Sequence, residues 1–370
     1  MYGLKQASRA WYSEIDAYLT MCKFKRSASE ATLYTRSDGE GNQIIVSIYV
    51  DDIVFTGSSE SMMNEFKREM MQRYEMTDLG LLHHFLGMGV MQSDKCIFIH
   101  QSKYARTLLE KFGLADCKPV STPLIMGEKL RKEDGSELAD ENVYRRIVGS
   151  LLYLTATRPD LMYAASLLSR FMNKPTKKHM GVARRVLRYV QGTLDYGIEY
   201  VKQKTAALVG FCDADWGGSE DDSRSTSGYA FGFGSGVFSW ASLKQNTVAL
   251  STAEAEYVSA SEATTQAIWL RDVLNDLGEV QANATLLYCD NMSAIAMIKN
   301  LVFHQKTRHI NRKIHFVREA VQGGIIDMKF CRNEDQMADI FTKSLPKDRF
   351  NQLRSMLGVK PVSTLGGSVE

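Results

Sequence analysis

Proline is scarce, six residues in 370, and its scatter leaves no Pro-rich linker to mark a domain boundary. Cysteine is equally sparse: Cys22, Cys96, Cys117, Cys212, Cys289 and Cys331. No two stand close enough for a Cys-x-x-Cys clamp, and no disulfide ladder is suggested. Reduced thiols in an intracellular protein are the expectation. No run of 18 apolar residues occurs, so no membrane span is expected. The opening MYGLKQASRAWY has no basic stretch followed by an apolar one, which excludes a secretory signal as its reading. An excess of one charge is also missing, with 45 Lys+Arg against 43 Asp+Glu. The 44% hydrophobic content excludes general disorder.

The neutral total hides an asymmetry. Residues 1–204 carry 29 basic and 24 acidic side chains, whereas residues 205–370 carry 16 and 19. This balance directs attention to basic surface early and to acidic clusters late. Length favours two domains or three small ones.

Residues 44–57, IIVSIYVDDIVFTG, are two apolar β-rich runs flanking Asp51 and Asp52, a hairpin with two acids at its bend. Met62, Phe66, Met70 and Tyr74 recur at helical spacing. A second hairpin is expected around Ser93 and Asp94, then a helix over 101–112 stopped by Gly113. Residues 115–140 are turn-rich. Residues 144–192 are helical throughout, broken by Pro159 and Pro175 into three helices. The third carries Lys178, Arg185 and Arg188 on one side, which is either a solvated face or a phosphate-tracking one.

Beyond Lys204 the pattern becomes α/β. Short strands over 208–212, 229–233 and 237–240 precede a long helix over 253–277. A strand over 285–289, a helix over 293–298, a strand over 325–330 and a final helix starting near Asp335 follow. The last residues, VSTLGGSVE, are expected to form a loose tail.

Four acids occupy informative places in this half. Asp213 and Asp290 end strands, Glu256 lies one turn into the long helix, and Asp339 lies in the first turns of the last. Ligands in open α/β sheets gather at strand carboxyl ends. Four converging carboxylates repel unless a cation neutralises them, and oxygen donors suit Mg²⁺ or Mn²⁺. Each acid taken singly has a structural alternative as a turn, cap or dipole partner. Ser251–Thr–Ala–Glu254 matches a capping box, which gives Glu254 a structural task that Glu256, two residues on, cannot share.

Between Asp290 and Glu319 no acid occurs, while Lys306, Arg308, Arg312 and Lys313 do, with His304, His309 and His315. A zinc site built from these histidines lacks a supporting Cys pair or HExxH spacing. A basic surface gripping a nucleic-acid backbone is the more economical reading, and Arg185 and Arg188 are candidates for the same task.

The runs GFCDADW (210–216), STSGY (225–229), VALSTAEAEY (248–257), YCDNMSAI (288–295), KTRHI (306–310), HFVRE (315–319) and MADIFTK (337–343) closely resemble the RNase H domain of copia-type retrotransposon polyproteins. The resemblance implies an RNase H fold in which Asp213, Glu256, Asp290 and Asp339 hold two Mg²⁺ or Mn²⁺ ions, with Asp215 ranked behind Asp213. Upstream, Tyr49–Val–Asp51–Asp52 resembles the YxDD hairpin of reverse transcriptases, with Asp51 and Asp52 as its metal-binding acids. MYGLKQASRAWY resembles a segment that borders the incoming-nucleotide site, which places Gly3 and Gln6 there; Ser8 stands where the family has Pro. HFLGMGV (84–90), QSKYARTLLEKFGL (101–114), PVSTPL (119–124), YRRIVGSLLYLTATRPDLMYA (144–164) and RRVLRYVQGTLDYGI (184–198) match the same pattern, which runs to about Leu357.

The expected fold class is therefore α/β with an α+β first half. A truncated reverse-transcriptase palm (1–100) precedes a helical thumb or connection (101–204), an RNase H-like mixed-sheet domain (205–345) and a C-terminal helix and tail (346–370). The implied activity is metal-dependent endonucleolytic hydrolysis of RNA in RNA–DNA hybrids. Polymerase activity is expected to be lost, because Met1 falls inside a motif and the upstream palm acid is missing. The implied partners are hybrid nucleic acid and other Pol segments, without a membrane, at an intracellular, cytoplasmic location. The alternatives are an inactive transposon remnant that at most binds nucleic acid, and an integrase-type nuclease, whose three-acid set and zinc region match less well.

Overall fold

A computed structural model describes residues 6–203, 206–299 and 311–364, with the backbone alone for 311–314 and 364. The chain divides into two compact units, one of residues 1–82 and 268–282, the other of 83–267 and 283–370.

In the first unit, helix α1 (Ala7–Met21) precedes strands β1 (Lys25–Arg26), β2 (Leu33–Ser37), β3 (Gln43–Tyr49) and β4 (Asp52–Gly57), then helix α2 (Glu60–Arg73). The strands form one antiparallel sheet in chain order. Strand β3 buries Ile44, Val46 and Ile48 in strict alternation, so the period of two selects its inner face. Ile15 and Leu19 of α1 and Met62, Phe66 and Met70 of α2 cover that face. Ser59 caps α2 by accepting from the Met62 N–H. Asp276 accepts from the Ser27 hydroxyl at 2.6 Å and from the Ala28 and Ser29 N–H groups, which pins the turn before β2.

Among its described residues the second unit contains two five-stranded sheets. One is antiparallel, in the order β14-β8-β7-β6-β5, from β5 (His84–Phe85), β6 (Met88–Gln92), β7 (Cys96–His100), β8 (Tyr196–Val201) and β14 (Val359–Pro361). Helices α3 (Ser102–Lys111), α4 (Glu141–Leu154), α5 (Met162–Ser169) and α6 (Lys177–Gln191) lie between β7 and β8 in sequence. The other sheet is mixed, in the order β11-β10-β9-β12-β13, from β9 (Leu208–Ala214), β10 (Thr226–Phe233), β11 (Val237–Lys244), β12 (Thr285–Cys289) and β13 (Ile326–Phe330). The pairs β9–β10 and β10–β11 are antiparallel; β9–β12 and β12–β13 are parallel. Helices α7 (Thr252–Asp276), α8 (Met292–Lys299) and α9 (Asn311–Gln322) and the C-terminal α10 (Lys347–Met356) complete the elements, and among the described residues no helix is long and apolar enough to cross a membrane.

The structure differs from expectation at four places. The first unit ends at Leu82 rather than at 100, because β5–β7 join β8, through β7, in a sheet separate from the first. No division falls at 204, since α4–α6 share one core with Ala230, Val237, Ile340 and Phe341 of the following segment. Residues 196–201 form a strand rather than the end of a helical region, their Tyr and Ile side chains suiting a pleated surface. The segment starting near Asp335 is also not an α-helix at first. It is two 3₁₀ turns, Asn333–Asp335 and Met337–Phe341, before α10.

A buried ion pair braces the helices of this unit. Arg158 donates to both oxygens of Asp160, at 2.9 and 2.7 Å, and to the Thr193 carbonyl. Tyr189 donates to the same carboxylate at 2.6 Å. Burial opposes charge on Asp160, yet the Arg158 guanidinium wins and holds its carboxyl below the ordinary range.

Candidate metal centre

The parallel register of β9 and β12 pairs Phe211 with Tyr288. Two residues on along each strand stand Asp213 and Asp290, which brings both acids to the same carboxyl end of the sheet. Asp213 faces Gly228 across the antiparallel pair. A Cβ at Gly228 would lie 2.7 Å from Phe341 Cβ and 2.8 Å from Thr342 Cγ2. Only glycine lets the 3₁₀ turn of 337–341 lie against β10, and that turn carries Asp339. Gln336, fully buried, fixes the turn by donating to the Cys212 carbonyl at 2.9 Å and accepting from the Ala338 N–H. Ser259 of α7 donates to the Asp213 carbonyl at 2.7 Å, three residues after Glu256.

The result is a cluster. One carboxylate oxygen each from Asp213, Asp290 and Asp339 lie within 4.8 Å of one another. Glu256, Cys289 and Asp290 form a second such group. Asp213, Glu256 and Asp339 are buried and Asp290 is half-buried. Burial first, then the Asp339 and Asp290 charges, push the Asp213 carboxyl up to about 6, against the opposing pull of Lys343 and Thr342. Burial followed by Asp213 raises Glu256 well above the carboxylate range. Burial and Asp339 raise Asp290.

Lys343 was not among the sequence candidates, although it stands in the MADIFTK run. Its ammonium lies 2.7 Å from Asp339 Oδ1 and 3.5 Å from Asp213 Oδ2. Burial disfavours its charge, but Asp213 and Asp339 outweigh that and raise its pKa. The Thr342 hydroxyl donates to Asp213 Oδ2, and Arg349 approaches Asp339 Oδ2 at 3.3 Å. Helical spacing from Asp339 was the available signal for Lys343, at i+4. Nothing local marks Gln336, Ser259 or Arg349.

Glu254 accepts from the Leu250 N–H and Ser251 accepts from the Glu254 N–H, so Glu254 serves the start of α7. Asp215 accepts from the Thr226 N–H, and burial pushes its carboxyl up to about 6. It stands outside both metal-capable groups found among the described residues.

In the first unit, Asp51 and Asp52 sit exposed at the β3–β4 turn, where Tyr49 pairs with Asp52. Val50 adopts φ +56°, a strained position for a β-branched residue. Its carbonyl accepts from Trp11 Nε1, which ties the YVDD turn to the MYGLKQASRAWY segment. Gln6, exposed, precedes α1. Among the described residues no third carboxylate joins Asp51 and Asp52 in a metal-capable group.

The basic candidates fare unevenly. Gly3, Lys306 and Arg308, with His304 and His309, lie outside the described residues, and Arg312 and Lys313 are placed by backbone only, on the first turn of α9. His315 is exposed on α9. Arg188 donates to the Lys118 carbonyl at 2.8 Å, Arg185 to the Thr122 hydroxyl at 3.1 Å and Lys178 to the Lys129 carbonyl at 3.3 Å. This face of α6 therefore holds the 115–130 loop through one nitrogen of each side chain, the task that competes with phosphate tracking for Arg185 and Arg188.

Residues 1–126 match the family described as reverse transcriptase (RNA-dependent DNA polymerase). The chain is 38% identical over 98% of its length to the retrovirus-related Pol polyprotein from transposon RE1 of Arabidopsis thaliana, covering 25% of that protein. It is 36% identical, over 71% of its length, to a transposon Ty5-1 protein of Saccharomyces cerevisiae, covering 86% of that protein. The chain thus spans about a quarter of the length of the two Arabidopsis Pol polyproteins it matches. A structure of the foamy viral protease-reverse transcriptase dRH in complex with double-stranded DNA aligns over 81% of this chain and 46% of its own, with 13% identity and a TM-score of 0.47.

Proposed function

The chain belongs to the copia-type retrotransposon Pol family as a reverse transcriptase/RNase H segment, and from that premise we propose that its second unit hydrolyses the RNA strand of RNA–DNA hybrids. The observation that carries this reading is the convergence of Asp213, Asp290 and Asp339, from three separate stretches of chain, within 4.8 Å. Lys343 lies against Asp213 and Asp339 and Arg349 against Asp339, so the four carboxyl groups, Glu256 included, outnumber the cations beside them at a largely buried site. That deficit and the oxygen donors fit Mg²⁺ or Mn²⁺, held by Asp213, Glu256, Asp290 and Asp339. When bound, such ions activate water and stabilise the leaving oxygen of a phosphodiester. The chain's own residues do the positioning. Thr342 fixes the Asp213 carboxylate, Lys343 holds Asp213 and Asp339 together, and Gln336 sets the turn that carries Asp339.

The first unit is assigned no polymerase activity of its own. Two-metal nucleotidyl transfer draws on acids that clamp both ions, and Asp51 and Asp52 stand at an exposed turn outside either metal-capable group. Nucleic-acid hybrid and other Pol segments are the proposed partners. The test is labelled RNA–DNA hybrid with Mg²⁺ or Mn²⁺. Cleavage is expected, with a loss of at least about 10³-fold in Asp290→Asn, and no primer extension by the same preparation. Equal traces from wild type and Asp290→Asn would leave only a non-enzymatic remnant.

A further inference from the structure

The carboxylate cluster contains a donor that the hydrolytic reading does not use. Cys289, the last residue of β12, is fully buried, and its Sγ lies 3.8 Å from Glu256 Oε2. That sulfur, a Glu256 oxygen and an Asp290 oxygen all lie within 4.8 Å of one another. A tetrahedral cation with one sulfur at about 2.3 Å and one oxygen at about 2.1 Å holds those two atoms about 3.6 Å apart. The observed spacing is close to that without rearrangement. A second thiol stands beside the first, because the β9–β12 register, continued one residue past Phe211–Tyr288, sets Cys212 level with Cys289, and the Cys212 thiol donates to the Tyr288 carbonyl at 3.6 Å. The two donor groups therefore differ in kind. Asp213, Asp290 and Asp339 offer only hard oxygens, whereas Glu256, Cys289 and Asp290 include soft sulfur, which selects zinc-like cations over magnesium.

We infer that Glu256, Cys289 and Asp290 form a site for a thiophilic divalent cation of the zinc and cadmium class, built into the floor of the carboxylate cluster. Binding places the cation on the Cys289 thiolate, and the displaced thiol proton passes to solvent. Asp290 belongs to both donor groups, so thiophilic and hard cations exclude one another; this last clause rests on the hard-cation reading above.

The experiment uses the full chain, stripped with chelator under reducing conditions, with Cys22, Cys96 and Cys117 replaced by Ser so that the less buried thiols are absent. Cd²⁺ is the probe. One equivalent is expected to bind with a sulfur-to-cadmium absorption band in the ultraviolet. Cys289→Ser is expected to lose that band and at least tenfold in affinity, while Cys331→Ser keeps both. Excess Mg²⁺ is expected to weaken Cd²⁺ binding. No band in the parent chain, or a full band in Cys289→Ser, overturns the site. Cys289→Ala, compared with the parent for its melting temperature, separates loss of a ligand from loss of fold. A band indifferent to Mg²⁺ overturns the shared use of Asp290 alone. Cadmium binding in a chain that cleaves no hybrid overturns the hydrolytic reading and leaves the thiol site standing.

Discussion

Replacing Asp213 by Asn should make the cation-free protein more stable near neutral pH, although the side chain is buried and hydrogen-bonded. Its carboxyl is raised from an ordinary 3.8 to about 6, chiefly by burial and then by neighbouring acids, after Lys343 and Thr342 have had their opposing effect. Between those two values the folded chain holds a proton that the unfolded chain has released. Stability therefore falls as pH rises through that window, and the full cost is present above about 6. A rise of this size corresponds to about 3 kcal/mol. Lys343 and Asp339 share the charge of this cluster, so the expected gain in Asp213→Asn is on the order of 1–3 kcal/mol. Denaturant unfolding with chelator present, at pH 4 and pH 7.5, measures it. Wild type should lose stability between the two and Asp213→Asn should lose less. Mg²⁺ at 100 times its Kd should restore about 2.7 kcal/mol to wild type and much less to the variant. A variant less stable than wild type at pH 7.5 without cation, or equal Mg²⁺ stabilisation of both, would refute the argument. Asp213 would then be a structural residue.

Two further outcomes follow from the packing around the helices. Arg158→Met should cost about 3–5 kcal/mol, because Asp160 and its charge remain buried without their partner; a loss under about 1 kcal/mol in denaturant unfolding would contradict the assigned brace. Arg185→Ala with Arg188→Ala should expose 115–130 to limited proteolysis while leaving the salt dependence of hybrid binding unchanged, whereas removing an arginine that grips a phosphate would lower that slope by about 1.

The amino-acid pattern by itself determined the local elements, because period and punctuation are local properties. Alternating Ile44, Val46 and Ile48, the stop at Gly113, the helix breaks at Pro159 and Pro175, and the strand ending at Cys289 all stand where the chain suggested. The spaced motifs also pointed to Asp213, Glu256, Asp290 and Asp339 as one set. Tertiary structure alone decided what each basic or polar side chain is spent on. Arg185 and Arg188 have the spacing of a phosphate-binding face, yet each also gives one hydrogen bond to the loop at 115–130. Residues 83–100 fall within the expected first domain, but β7 pairs with β8, about 100 residues away, and no local signal announces it. Lys343, Gln336 and Ser259 reach the acids only because β9, β10, α7 and the 3₁₀ turn converge. Helix and strand formation depends on neighbours in sequence, whereas charge compensation and hydrogen-bond partnership depend on neighbours in space, and only the folded chain supplies those.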